Sequence, residues 1–422
     1  MKRRTYLATA AVLALAGCTG ADDDPNGDGS STDDPNGDDD PNGDGDPNGD
    51  GSRPDPEPPD EDGPFDDFEE LSHWEVVRGS LSADDGRSVV GTQSALLEND
   101  GSSDQARIVR ELEEPLDCTN SSPGLAMATD LSVDPLIQLS SADGSKVVFR
   151  QRVQADAPLV HHNVGIDGVI GDPDLRAVTD VEIVLWTGDD SRGRLWIDDL
   201  HFVSRPSPGA VTIQFAGGYE TDDTVARPIL EEYELPATTF VTPGRLREDD
   251  AHEGNRLTEA QLAALADAGW TIGSHTAHDS ILTTLDEAEQ EAEIREAKTW
   301  LEDHGYEDGA GYFSYPAGRY DGTSLELVAE HHDLGFAGGY PAQGHATNPH
   351  LCSRVSSPSV EEARHVLGRT VAWGGLTSLT YYRLEGDAVE PFERTMAAIS
   401  ELESAGDLEV LTMAEVESEY VA

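Results

Sequence analysis

Residues 211–224, VTIQFAGGYETDDT, join an apolar β-type run to a glycine turn and a polar segment typical of a helix start. Six further apolar runs follow, at 237–241, 270–273, 312–315, 335–337, 377–382 and 408–411. Helical patterns lie between most of them, and this alternation predicts a parallel sheet with helices outside it. Seven such strands predict a distorted (β/α)7 barrel over residues 206–422. The chemistry of such a barrel lies on the loops that follow its strands.

Two of the intervening segments carry helix-start signals. Thr258 with Gln261, and Asp286 with Glu289, have the spacing of a capping box. Gly305 follows the second segment as a stop signal. These signals support helices between the strands, as a barrel of this kind requires.

The region 65–205 has a different rhythm. Short runs such as KVVFRQRV (146–153) and DVEIVLW (180–186) are separated by Gly, Asp, Ser and Pro, which predicts a β-sandwich. The beginning and end of this region loosely resemble jelly-roll carbohydrate-binding modules. A spacer sandwich without a ligand is the alternative. Trp74, Trp186 and Trp196 could stack on sugars or fill the core.

The first 18 residues, MKRRTYLATAAVLALAGC, have a basic start, a short apolar run and small residues before Cys18, which predicts a signal peptide. The arginine pair resembles a twin-arginine export signal. The LAGC stretch resembles a lipobox, so we predict lipidation at Cys18, with a plain secretory signal as the alternative. Residues 19–64 repeat Asp-Pro-Asn-Gly-Asp and predict an acidic, extended linker. Calcium binding by the linker is the alternative.

The formal net charge of −57 excludes nucleic acid and anionic membrane surfaces as partners. Only three of the 27 basic residues are lysines, and the negative charge continues through the folded regions. We therefore predict a solvated acidic surface suited to a high-salt environment. Together with the N-terminal signals, this predicts a protein at the extracellular face of the cell membrane, attached through a lipid anchor only. Cys118 and Cys352 lie in different predicted domains, so a disulfide scaffold is not expected.

Four motifs fall at the ends of predicted barrel strands: FAGGY (215–219), GSHTAHDS (273–280), SYPAGRYD (314–321) and TYYRLEG (380–386). With these motifs, residues 209–422 resemble the polysaccharide deacetylases with a NodB-homology domain, carbohydrate esterase family four. The resemblance implies removal of an acetyl group from an N-acetylated polysaccharide or related ester. It also implies a divalent metal, usually zinc, held by one Asp and two His, with a second Asp as base and a late His as acid.

The residues at three of these positions do not match the family. Ala216 stands where the resemblance implies the base, and Gly217 stands where it implies the metal-binding Asp. Tyr382 replaces the late His, and a tyrosine hydroxyl titrates too high to deliver a proton near neutrality. Losing base, ligand and acid together argues against this mechanism.

The family's second motif is only partly kept. His275 matches the first metal-binding His, Asp279 stands at the second, and His278 lies one residue early. A rebuilt metal centre from His275, His278 and Asp279 is therefore one possibility. Asp222, Asp223 or Asp321 could supply further carboxylate ligands to this centre. Helix capping is the alternative role for Asp222 and Asp223.

The third motif is kept in outline and predicts a substrate groove. The residues predicted to line it are Tyr219, Tyr315, Pro316, Gly318 and Arg319, with Trp373 and Tyr382 as further aromatic candidates or packing residues. Three hypotheses remain. The first is a lipid-anchored protein that binds N-acetylated glycan with hydrolysis weak or lost. The second is an active metal-dependent deacetylase with a rebuilt site, and the third is a structural envelope protein.

Overall fold

A computed structural model describes residues 56–60, 63–155, 157–189, 191–249 and 254–421. The predicted signal peptide, the lipidation site Cys18 and nearly all of the linker, with its alternative calcium role, lie outside these residues. Within the described ranges, no helix is both long enough and apolar enough to cross a bilayer.

The region before the barrel consists of two antiparallel sheets. One has the strand order β1-β4-β10-β6-β7-β9 and the other β2-β3-β11-β5-β8. The strands are β1 (Glu75–Arg78), β2 (Ser80–Asp84), β3 (Ser94–Asn99), β4 (Gln105–Leu116), β5 (Ser121–Thr129), β6 (Leu136–Ser141), β7 (Lys146–Arg150), β8 (Val160–Asn163), β9 (Gly165–Ile170), β10 (Val178–Trp186) and β11 (Gly193–Ser204).

The inner faces of these two sheets form one hydrophobic core. Its members come from alternate positions of the strands, as in Ile137 and Leu139 of β6 or Ile183 and Leu185 of β10. The thiol of Cys118 is buried in this core, and both it and the buried Cys352 of the barrel are free. The predicted sandwich layers are therefore present, without a disulfide between the two described cysteines.

The C-terminal region is built on a curled parallel sheet. Its strands are β12 (Gly209–Ala216), β13 (Thr238–Val241), β14 (Thr271–Ser274), β15 (Tyr312–Ser314), β16 (Leu334–Phe336), β17 (Val355–Ser356), β18 (Leu376–Tyr381) and β19 (Leu408–Val410). All pairings in this sheet are parallel, in the order β16-β15-β14-β13-β12-β18-β17. This arrangement is consistent with the predicted distorted (β/α)7 barrel.

The seven predicted strands are all observed, and the last of them lies beside the first. β19 pairs with the first residues of β12 and stands outside the main order of the sheet. Segment 352–356, which was not predicted as a strand, contacts two strands of the sheet. Cys352 forms a parallel bridge with Phe336 of β16, and β17 pairs with β18. This segment is short and polar, which explains why its sequence gave no strand signal.

Every residue of β12 is buried, because both faces of the strand are covered. Val211, Ile213 and Phe215 pack in the core formed with the surrounding helices. The intervening Thr212 and Gln214 hydrogen-bond each other at 3.1 Å on the opposite side of the strand. The two-residue period of a strand places Ala216 on that same inner side, at the C-terminal end.

Helices cover the outside of the sheet. They are α1 (Arg227–Tyr233), α2 (Glu259–Asp267), α3 (Glu287–Asp303), α4 (Glu307–Ala310), α5 (Gly322–His331), α6 (Val360–Trp373), α7 (Val389–Ala405) and α8 (Met413–Glu419). Both predicted capping boxes, at Thr258 and Asp286, are formed. Gly305 follows α3 with φ of 84°, a left-handed conformation that suits glycine at a helix end.

The sandwich contacts the loop that follows β16. Ser122 Oγ donates to the carbonyl of Gln343 at 2.6 Å, and Asn163 Oδ1 accepts from the backbone of Thr347 at 2.9 Å. Gln154 also donates to the carbonyl of Gly318, on the loop after β15, at 2.7 Å. Two loops at the C-terminal ends of barrel strands are therefore held directly against the sandwich.

Candidate functional site

The loops after β12, β13, β14, β15 and β18 form the rim of the barrel. Direct hydrogen bonds link them in pairs. The backbone of Leu384 donates to Thr221 Oγ1 at 3.1 Å, and the carbonyl of Ser314, at the end of β15, accepts from a His275 ring nitrogen at 2.7 Å. The predicted convergence of the four motifs on one rim agrees with these contacts.

The first motif supplies a turn without a titratable side chain. Gly217 and Gly218 have φ of 102° and 62°, so both adopt conformations that favour glycine. A Cβ at Gly217 would lie 2.7 Å from Nη1 of Arg256. Ala216 is buried and offers no proton acceptor. The space beside this turn is therefore filled by Arg256, a residue outside the four motifs.

Arg256, from the loop after β13, connects three parts of the rim. Its Nη1 donates to the carbonyl of Gly217, and its Nη2 donates to Asp279 Oδ2 at 2.8 Å. Its guanidinium carbon also lies 4.2 Å from the centre of the Tyr219 ring, a cation–π contact. The guanidinium thus places a permanent positive charge between the first and second motifs.

His275 is buried at the end of β14. Burial, and after it the nearby Arg354 cation, lowers the pKa of His275 to about 4, so its imidazole is neutral near pH 7. One ring nitrogen bonds to the Ser314 carbonyl, and the other lies 3.5 Å from Asp279 Oδ1. The structure therefore brings His275 and Asp279 together.

The structure keeps His278 apart from this pair. Its Nδ1 lies 2.9 Å from Glu293 Oε1, and its backbone donates to the other oxygen of that carboxylate at 2.8 Å. Its side chain is 58% exposed, whereas that of His275 is 4% exposed. The one-residue offset from the family spacing thus directs the His278 imidazole to α3 and away from His275.

The metal centre implied by the family resemblance does not fit these residues. Gly217 offers no ligand, His278 faces Glu293, and Asp279 already accepts from a guanidinium. In the described residues, three ligating side chains of His, Cys, Asp or Glu meet at one place only: His161, Asp199 and His201. These three residues belong to the sandwich, so a His/Asp/His triad is present but not at the rim.

Three further carboxylates considered for a rebuilt centre have different surroundings. Asp223 pairs with Arg227 at 2.8 Å, and Asp321 caps α5. Asp222 is 1% exposed and accepts from Thr239 Oγ1 at 2.8 Å. Burial raises the pKa of Asp222 to about 8. These contacts do not bring Asp222 or Asp223 to His275 and Asp279, and helix capping by the two residues stays a prediction.

Arg354 supports the rim from inside the barrel. It lies just before β17, is 2% exposed, and donates to the carbonyl of Tyr315 at 2.7 Å and to Ser314 Oγ. The hydroxyl of Tyr382, the residue at the position of the family's late His, lies 3.5 Å from Ser356 Oγ. Arg354 and Arg256 belong to none of the four motifs. In the sequence they stand out only because basic residues are scarce in this chain.

The predicted groove residues divide into buried and open ones. Tyr315 and Pro316 are buried, and the Tyr315 hydroxyl donates to the carbonyl of His350 at 3.1 Å. Trp373 ends α6 and precedes β18, so it lies at the opposite end of the strands from the rim. Trp373 lines a cavity of about 430 Å³ at that end, and Gly318 and Arg319 line a second cavity near the rim.

This cavity, of about 510 Å³, lies between the third motif and the sandwich. Its polar lining includes Arg152, Gln154 and Tyr340 in addition to Gly318 and Arg319. Arg152 is held by a two-point ion pair with Asp134, at 2.7 and 2.9 Å. We call this cavity the junction groove.

The three candidate tryptophans of the sandwich also differ. Trp74 and Trp196 are buried, and their indole nitrogens donate to Asp66 and Asp84. Trp186, at the end of β10, is 52% exposed and lines a cavity of about 820 Å³. Ser132 lines both this cavity and the junction groove. Trp186 is therefore the one of the three whose ring is free for stacking.

Comparison with known proteins places these features in context. The family model described as polysaccharide deacetylase matches residues 204–335. The protein YxkH of Bacillus subtilis (strain 168), named as a polysaccharide deacetylase, is 32% identical over 124 residues. That match covers 29% of this chain and 42% of YxkH, so the chain spans less than half of the length of this relative.

Solved structures of the same kind also match. A family 4 carbohydrate esterase from Streptomyces lividans in complex with acetate is 16% identical, with a TM-score of 0.36, and 51% of this chain and 96% of that chain are covered. BA3943, described as a CE4 family pseudoenzyme from Bacillus anthracis, is 14% identical with a TM-score of 0.36. That match covers 51% of this chain and 68% of the pseudoenzyme.

Proposed function

Because residues 204–335 form a polysaccharide deacetylase domain of the NodB type, we propose that this protein binds N-acetylated polysaccharide and has lost most or all hydrolysis. The barrel keeps the family's strand and loop arrangement. Its rim lacks a carboxylate base at Ala216, a metal-binding carboxylate at Gly217 and an imidazole at Tyr382. These are the positions where the family resemblance implies base, ligand and acid.

The observation that carries the proposal is the contact between Arg256 and Asp279. A guanidinium has donors only and stays protonated, so it can neither ligate a metal nor remove a proton from water. It can donate hydrogen bonds to an oxygen of a bound sugar or acyl group. The rim that results supports binding of an oxygen-rich ligand without activation of a nucleophile.

We further infer that the sandwich is a jelly-roll carbohydrate-binding module. Successive strands from β3 to β6 alternate between the two sheets, an order that supports a jelly roll. The exposed ring of Trp186 offers the flat apolar face on which sugars stack. The junction groove, with Arg319 and Arg152, extends this surface toward the third motif.

We also propose that the protein works outside the cell, held by a lipid at Cys18, with the acidic linker as a spacer. The twin arginine and LAGC stretches of the first 18 residues support export and lipidation. The net charge of −57 supports a high-salt environment, where the repulsion between carboxylates is screened within a few ångströms.

The test measures acetate release and glycan binding in molar salt, with N-acetylglucosamine oligomers as the probe. We expect no acetate above the protein-free blank, and binding that EDTA leaves unchanged. Trp186→Ala and Arg319→Ala should each weaken binding at least fivefold. Arg295→Ala, which removes an exposed arginine from α3, serves as the matched control.

Two other results would overturn the proposal in different directions. Acetate release that EDTA abolishes would identify an active metal-dependent deacetylase with a rebuilt site. Absence of binding to N-acetylated and O-acetylated glycans alike would favour a structural envelope protein.

A further inference from the structure

Three side chains of the sandwich form a cluster of metal-ligating groups outside the rim motifs. His161 Nε2 lies 2.6 Å from Asp199 Oδ2, and His201 Nδ1 lies 3.9 Å from the same oxygen. The ligating atoms of all three residues lie within 4.8 Å of one another. His161 belongs to β8, whereas the other two belong to β11.

The strand order makes this meeting unusual. β8 and β11 are not neighbours, since β5 lies between them, and strands two places apart are roughly 9–10 Å apart. Side chains can meet across the middle strand only where that strand carries very small residues. β5 presents Ala126 opposite His161 and Gly124 opposite His201.

Gly124 is necessary for this arrangement on steric grounds. A Cβ at Gly124 would lie 2.3 Å from Nε2 of His201, a distance that real Cβ atoms do not adopt. The imidazole of His201 therefore lies directly on the backbone of β5. The absence of a side chain there allows the His201 ring to reach toward Asp199 and His161.

Asp199 stands at an irregularity of β11. The pairing register with β5 shifts between Asp198 and His201, and Asp199 has φ of 43°, which is uncommon for a residue other than glycine. Bulges of this kind redirect side chains and are frequent beside functional sites. Here the bulge places Asp199 and His201, two residues apart, beside the same His161.

We propose that His161, Asp199 and His201 bind a divalent transition metal ion of the zinc type. Two imidazoles and one carboxylate are a donor set that zinc prefers, at about 2.0–2.2 Å from each ligand atom. Tetrahedral geometry at that radius separates the ligand atoms by roughly 3.3 Å. The observed distances of 2.6 and 3.9 Å lie on either side of this value. His161 Nε2 is hydrogen-bonded to Asp199 Oδ2, and His201 Nδ1 donates to the backbone carbonyl of Asp199 at 2.9 Å, so a bound ion would displace both hydrogen bonds.

The site is partly accessible from solvent. The side chains of His161, Asp199 and His201 are 27%, 14% and 12% exposed. Three protein ligands leave the fourth position of a tetrahedral ion open to water or to a ligand oxygen. A bound ion would also tie the edge strand β8 to β11 across β5 and so stabilise this face of the sandwich.

This inference is independent of the proposed glycan binding. The experiment measures zinc binding to the purified protein by calorimetry after EDTA treatment and its removal, with ZnCl₂ alone as the probe. We expect one equivalent of zinc in the wild type and at least a tenfold loss of affinity in His161→Ala and in Asp199→Asn. His278→Ala, which removes another exposed imidazole next to a carboxylate, serves as the matched control and should keep wild-type affinity.

A second measurement guards against variants that fail to fold. Zinc should raise the melting temperature of the wild type and of His278→Ala, but not that of His161→Ala, whose circular dichroism spectrum should match the wild type. Absence of zinc binding in the wild type would overturn the inference. Equal binding in all variants would also overturn it, because the ion would then lie elsewhere. Neither result affects glycan binding or acetate release, which test the proposed function separately.

Discussion

Replacement of Asp222 by asparagine should stabilise the folded protein, and the gain should grow as the pH rises. Asp222 is 1% exposed, its Oδ2 accepts from Thr239, and its Oδ1 has no hydrogen-bond partner in the part of the chain that the structure describes. Burial raises the pKa of this carboxyl from 3.8 to about 8. Between these two values the folded protein keeps a proton that the unfolded chain releases. The free energy of unfolding therefore falls as the pH rises through this window.

The size of the effect follows from the same shift. Each pH unit inside the window changes the free energy of unfolding by about 1.4 kcal/mol. From pH 5 to pH 8 this gives a ceiling of about 4 kcal/mol, which local relaxation and water entry reduce. Asparagine has nearly the same shape, can still accept from Thr239 and does not titrate. We expect Asp222→Asn to gain about 2–4 kcal/mol over the wild type between pH 5 and pH 8.

Urea unfolding in molar salt, followed by tryptophan fluorescence at pH 5, 6.5 and 8, measures this difference. Glu232→Gln, at an exposed position of α1, is the matched control. If Asp222→Asn shows a constant difference from the wild type at all three pH values, the reasoning is refuted. A loss of stability at pH 8 would indicate that the carboxylate form is the native one, as a metal ligand would require.

Three further predictions concern other parts of the molecule. Arg256→Ala should lower the free energy of unfolding by about 2 kcal/mol, because the part-buried Asp279 loses a charged donor. In the same urea-unfolding measurement, Arg256→Lys should recover only part of the lost free energy. Gly309→Ala should lower the melting temperature by several degrees, since the new Cβ would lie 2.1 Å from the Ile272 carbonyl oxygen. In the control Gly368→Ala, in α6, the new Cβ meets nothing within 4 Å, so the melting temperature should stay the same or rise. Dialysis from molar to millimolar salt should unfold the protein reversibly, as followed by circular dichroism, because a net charge of −57 is then unscreened.

Much of the fold could be predicted from the sequence, because the informative patterns are local. Runs rich in apolar and β-branched residues, such as VTIQF, mark strands, and capping boxes mark where helices begin. The place of β19 and the role of segment 352–356 were not predictable in this way. They depend on the curl of the whole sheet, which decides which short segment approaches β16.

The candidate site was predictable only for residues in motifs. The losses at Ala216 and Gly217 are visible by alignment to the family pattern, and the structure adds what fills the space. Arg256 lies 39 residues from Gly217 along the chain, in a loop with no motif of its own. No local pattern connects the two residues. His278 likewise lies apart from His275 because its imidazole hydrogen-bonds to Glu293 of α3, and no local pattern in the sequence predicts that contact.

Arg256 holds two loops of the barrel rim together. The Asp279 carboxylate belongs to a strongly acidic chain, so a nearby positive charge stabilises it. The Arg256 guanidinium supplies that charge and donates to Asp279 Oδ2 at 2.8 Å. The same guanidinium also binds the Gly217 carbonyl, so it holds the first and second motifs together. A metal ion would lower the pKa of a bound water, whereas an arginine fixes hydrogen-bond donors and has no such effect. An arginine at this place offers hydrogen-bond donors to oxygen groups, which agrees with the proposed binding of glycan without hydrolysis. It also accounts for why a single Gly217→Asp change should not restore a metal site while Arg256 is present: the new side chain would meet Nη1 at 2.7 Å, on a backbone with φ of 102°.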